Sequence, residues 1–169
     1  MQKLHNNETF IGFYQQIMPF SMNVIELSES GQISEACISQ DSLTYFYNVL
    51  GILASHNKVP EQSKLQIITW IVQRILSSLS QCTAPNSPQI TRTLNIAKTV
   101  IKHFNREVTP ALKQLFIQVV NHFLPFLEAN LSNPRLSDQL IFFVHANIAV
   151  LGMEIVPLVE KVVVLCVER

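Results

Sequence analysis

Apolar residues recur along most of the chain at the three- and four-residue spacing of an amphipathic helix. The breaks between runs fall where proline, glycine, serine and asparagine gather. The pattern predicts helices over residues 8–20, 22–38, 41–56, 60–82, 88–105, 108–129, 134–151 and 154–168. Glycine is scarce, four in all, and the prolines read as lying between apolar runs, so helices with short connections account for most of the length.

From residue 41 onward the pattern repeats. Aligning Pro60, Pro110 and Pro157 brings every second helix start into register at separations of 50 and 47 residues. These are close to the roughly 40–47 residues of a HEAT or armadillo unit. Proline is tolerated in the first helical turn because its missing N–H has no intrahelical partner there. In the helix before each proline, Phe46, Ile96 and Phe143 occupy one equivalent position, and Ala54, Phe104 and Leu151 another. Tyr47, Ala97 and Val144 widen the stripe.

A hairpin with such a stripe cannot bury it alone, whereas stacked hairpins bury a continuous core. The expected fold is therefore all-α, a HEAT-like α-α superhelix formed by residues 1–169 as one helical-repeat segment. Its hairpins are expected over 41–82, 88–129 and 134–168, with a further one over about 1–40. The last run, PLVEKVVVLCVER, stays strongly apolar with no polar cap after it, which leads to the expectation that the stack belongs to a larger solenoid.

Of the 169 residues, 48% are hydrophobic, enough for a sizeable core. Only 14% are charged and the formal net charge is zero, unlike an autonomous nucleic-acid-binding domain, so any RNA contact must be local. Cys37, Cys82 and Cys166 are odd in number and far apart, which argues against a disulfide framework or a zinc knuckle and fits a reducing compartment. The start, MQKLHNNETF, lacks the pattern of a secretory signal. The most apolar stretch, 140–167, is too interrupted by polar residues for a membrane span. No glycine-rich phosphate loop, nucleophile elbow, paired carboxylates or metal-spaced histidines occur, so neither an enzyme nor a cofactor is expected.

SLTYFYNVLGIL (42–53), the Val59-Pro60-Glu61 helix start and the WIVQRILSSLSQ helix resemble the C-terminal half of exportin-T, the tRNA export receptors of the importin-β superfamily. So does the Phe143-Val144-His145 step followed by Met153-Glu154-Ile155-Val156-Pro157, with the stretch around Val120 to Pro125, VNHFLPFL, compatible. The resemblance covers about residues 41–169 and is one of repeat pattern. It implies a receptor that wraps tRNA together with GTP-bound Ran, passes nuclear pore proteins, and shuttles between nucleus and cytoplasm. It also implies that the second helix of each hairpin, 60–82, 108–129 and 154–168, faces cargo or Ran. The alternative is a generic HEAT or armadillo scaffold, or another importin or exportin, with protein cargo.

Lys64, Arg74, Lys113 and Lys161 lie on those second helices and are candidate contacts to tRNA or another partner. Lys98, Lys102 and Arg106 recur every four residues and form a candidate phosphate-contacting stripe. The plainer reading of that stripe is a solvated helix face. Trp70, Tyr45, Tyr47 and the phenylalanines fall mostly on apolar stripes, so packing is favoured over base stacking. His145, on an apolar helix, reads as a core or interface histidine.

Overall fold

A computed structural model describes the backbone of residues 2–105 and 107–167, and side chains from residue 9 onward within those ranges. It is all-helical: α1 (Gln2–Glu29), α2 (Gln40–Ser55), α3 (Glu61–Ser80), α4 (Pro88–Ile101), α5 (Pro110–Ala129), α6 (Pro134–Leu151), a short 3-10 turn (Gly152–Ile155) and α7 (Val156–Val167). No described residue is in a strand.

The helix starts are set by local chemistry. Ser39 caps α2, its hydroxyl accepting from the Ser42 amide at 3.2 Å, and Asp41 in the first turn complements the positive end of the helix dipole. Ser87 caps α4 in the same way through the Gln89 amide, with Pro88 as the first helical residue. Pro110 and Pro134 open α5 and α6, Pro60 immediately precedes α3, and Pro157 is the second residue of α7.

The first forty residues differ from the helix pair that the sequence pattern predicts. Residues 2–29 form one helix that runs through Pro19, and residues 30–39 form turns. Pro19 removes one backbone bond, but it is exposed, so the carbonyl left over can be hydrated. The helix stops at a Schellman motif: Gly31, at φ +74°, sends its N–H to the Ser28 carbonyl, and the Gln32 N–H reaches the Leu27 carbonyl at 2.9 Å. Only glycine adopts that backbone cheaply, and the serines around it favour turns over a second helix. Pro125 likewise lies inside α5, not between runs, and it too is exposed.

Helices alternate in their contacts. α2 packs on α4 and α4 on α6, while α3 packs on α5 and α5 on α7; α2 also packs on α3, α3 on α4, α5 on α6, and α1 on α2. The core is one continuous cluster running from Ile25 through Leu50, Ile68, Ile71, Leu94, Val120 and Phe123 to Phe143 and Leu158. Phe104 meets Phe116, and Phe123 meets Phe143 edge-on, each pair with ring centroids 5.2 Å apart. Gly51 lets α2 and α4 come close: a Cβ there would lie 3.2 Å from the Val100 Cα and 3.1 Å from the His103 ring.

Some buried polar side chains are tied to the backbone, although Asn147 Oδ1 has no partner among the described residues. Asn130, only 4% exposed, donates to the Pro85 and Phe126 carbonyls and pins the α3–α4 connection to the end of α5. No helix among the described residues is long and apolar enough to cross a membrane.

Candidate functional site

Three of the cations singled out in the sequence, Lys64, Arg74 and Lys113, are held by carboxylates. Lys64 pairs with Glu61 one turn earlier on α3, at 3.7 Å, and Lys113 on α5 reaches Glu154 of the 3-10 turn at 2.9 Å. Arg74 is the most committed. Its two terminal nitrogens meet Glu29 and Glu26 of α1, and its guanidinium lies over the Trp70 ring with its carbon 4.3 Å from the centroid. A cation already neutralised by a carboxylate offers little to a phosphate backbone.

The proposed stripe on α4 is broken. The helix ends at Ile101, with Lys102 as its C-cap, not at residue 105, and Arg106 lies outside the described residues. Lys98 is half-buried, and burial lowers the pKa of its ammonium. Lys102 and Lys161 are exposed and make no ion pair among the described residues. His145 is exposed on α6 and is not a core histidine, because the buried stripe there runs through Leu140, Phe143, Val144 and Asn147 instead.

The concave feature with the most chemistry surrounds Arg74. It is a groove of about 940 Å³, walled by the end of α1 and the 30–39 turns, floored by α3, and closed on the far side by the start of α4. Helical spacing places its residues. Trp70, Gln73, Arg74 and Ser77 form one stripe on α3, continued by its C-cap Gln81, and Gln89, Arg92, Thr93 and Ile96 form another on α4.

At the Arg74 end of the groove, Glu26, Glu29 and Trp70 surround the guanidinium. The Trp70 indole N–H donates to Glu26 Oε1 at 3.2 Å, the same oxygen that Arg74 meets, and the Tyr47 hydroxyl donates to Glu29 Oε1. Burial, then the Glu29 carboxylate, pushes the Tyr47 phenol well above its ordinary range, so it stays protonated and keeps donating. At the other end Gln89 Nε2 donates to the Ser78 carbonyl and hydroxyl, while that hydroxyl shares a hydrogen bond with Thr93.

Asn23, Gln73 and Arg92 line the same groove and make no hydrogen bond or ion pair through their side chains with any described residue. Glu35, on the turns, accepts one bond, from Gln40 at 2.6 Å. No group of three His, Cys, Asp or Glu among the described residues could hold a metal ion. The acidic and amide members of this groove carry no motif. Their only trace in the sequence is the Trp70–Arg74 spacing of one helical turn and the Glu26–Glu29 pair at the end of an apolar run.

A second surface is apolar. Met153 and Val167 are 82% and 76% exposed, and Val163 and Val164 lie beside them on α7. Met153, Val163 and Val164 border a cleft of about 520 Å³ between α7 and the end of α6.

Comparison of the chain with protein-family models, with curated proteins and with solved structures finds no match in any of the three.

Proposed function

We propose that the chain is a section of a HEAT-like helical-repeat scaffold whose work is to hold another macromolecule by shape and surface chemistry, with a protein as partner. The observation that supports it is the alternation of contacts, first helices on first helices (α2, α4, α6) and second on second (α3, α5, α7). Such stacking propagates one core while leaving long side surfaces free for partners. A protein is favoured over nucleic acid because Lys64, Arg74 and Lys113, three of the cations on the second helices, are already held by carboxylates.

The particular scaffold that the sequence resembles gives a second reading: a segment of a tRNA export receptor that binds tRNA cooperatively with GTP-bound Ran. The register of Pro60, Pro110 and Pro157 at helix starts favours it, since it supports the repeat phase on which the resemblance rests. Cooperation would arise if tRNA and Ran each stabilised the same curvature, which couples the two sites reciprocally.

Both readings are tested by affinity capture of the tagged protein from cells, with and without GTP-locked Ran. Bound RNA is sequenced, and bound proteins are cross-linked and mapped. Proteins cross-linked to the stack, independent of Ran and without RNA, are the expected result. Ran-dependent enrichment of tRNA would replace it with the export reading.

A further inference from the structure

The groove along α3 has a composition that selects among ligands. Its three carboxylates, Glu26, Glu29 and Glu35, outnumber its two guanidinium groups, Arg74 and Arg92, and Arg74 is consumed by two of the three acids. That balance repels a polyanion. About half of the lining is polar, which a wholly apolar ligand would leave unpaired, and the Arg74 guanidinium covers one face of the Trp70 ring, where a sugar would otherwise stack.

What remains unoccupied is amide chemistry. The side chains of Asn23 and Gln73 each present a donor and an acceptor with no partner among the described residues, which is what the alternating N–H and C=O groups of an extended backbone require. From Trp70 to Gln81 the α3 stripe is about 16 Å long, from the rise of a helix. That length accommodates about five residues of extended chain. Glu26 and Glu35 each use only their Oε1 atoms in hydrogen bonds or ion pairs among the described residues, leaving Oε2 of both for a cation. Arg92 stands across the groove and is also unpaired among the described residues.

The geometry points to a binding site for an extended polypeptide segment carrying a lysine or arginine, laid along α3 with its basic side chain against Glu26 and Glu35. It rests on the scaffold reading above and names the chemistry of the partner.

The test uses the whole 169-residue chain and a fluorescent pool of acetylated heptapeptides with one central lysine and random flanks. A matching pool with central glutamate and a twelve-nucleotide single-stranded RNA serve as comparisons. Trp70 is the only tryptophan, so its indole N–H gives one unambiguous NMR signal inside the groove.

The expected result is saturable binding of the lysine pool with a shift of that signal. Gln73→Ala and Glu35→Gln should each weaken binding by about three- to tenfold, the range for losing one hydrogen bond or charge-assisted contact. Arg92→Glu should strengthen it. Equal binding of the glutamate pool, preferential binding of the RNA, or affinities unchanged in Gln73→Ala and Glu35→Gln would each overturn the proposal. Protein capture from cells that persists in Gln73→Ala and Glu35→Gln would sink the groove and leave the scaffold standing. Lysine-pool binding in a protein that recovers only RNA from cells would do the reverse.

Discussion

Between α3 and α5, and between α2 and α4, contact is made by rows of apolar side chains such as Ile71, Ile75, Val119 and Leu94, each 4% exposed or less. α1 is held differently. Val24 and Ile25 near its end are buried, but Ile11, Phe13 and Phe20 are 48–56% exposed, and much of its attachment to α3 is the ion pairing of Glu26 and Glu29 with Arg74. Farther along α1, Phe10 stacks on His56 with ring centroids 4.0 Å apart. Apolar burial in the middle of the stack is cooperative and is not screened by salt, whereas partly exposed ion pairs are screened and weak. The stack should therefore melt as a unit from α2 onward, with α1 opening on its own at lower cost.

The largest effect should come from the interior. Phe143→Ala removes a ring that is 1% exposed and packed against Phe123, and should cost about 3–5 kcal/mol in urea unfolding, without selective loss of α1. A loss below 1 kcal/mol would mean that the interior is not the rigid half of the comparison.

Arg74→Ala strips Glu26 and Glu29 of their cation, and should cost about 1–2 kcal/mol after allowance for solvent at the partly exposed carboxylates. Hydrogen exchange would localise the effect: protection should fall over residues 21–29 and stay unchanged in α5. Uniform loss across the chain would erase the distinction between the two regions.

Gly51→Ala gains helix propensity but drives a methyl against the Val100 backbone, which cannot rotate away. A net destabilisation of about 1 kcal/mol is expected, read as a lower melting temperature. Stabilisation would mean that α2 and α4 slide apart freely.

The smallest effect is the pH response of His103 at that same contact, where its Nε2 and Asn48 Oδ1 lie 2.8 Å apart. Burial first, and Lys102 second, lower its pKa from the ordinary value. The unfolded chain therefore takes up the proton first as pH falls below about 6.5, and the stability contributed by neutral His103 is lost as pH drops through its lowered folded value. Between pH 7.5 and 5.5 the urea midpoint of the native protein should fall more than that of His103→Gln.

The interior was readable because its signal is periodic. Helices expected over 60–82, 108–129 and 134–151 correspond to Glu61–Ser80, Pro110–Ala129 and Pro134–Leu151, and Phe46, Phe104 and Phe143 pack into or against the core. The start of the chain was misdivided: α1 runs through Pro19 to Glu29 although an interior proline costs a helix about 3 kcal/mol, and the burial of Val24 and Ile25 beyond it is a tertiary contact that no local pattern announces. The groove was legible only in part. Arg74 stood out as a cation on a second helix, but the acids that claim it lie 45 and 48 positions away on α1, and no local pattern announces a pairing across that distance.

The uncovered valines of α7 carry a practical consequence. Colloidal stability depends on like charge keeping molecules apart, and this chain has a formal net charge of zero and an isoelectric point near 7.0. At neutral pH nothing repels two molecules whose apolar α7 faces meet. Solubility should therefore pass through a minimum in ordinary neutral buffers, and storage at mildly alkaline pH should keep the protein dispersed.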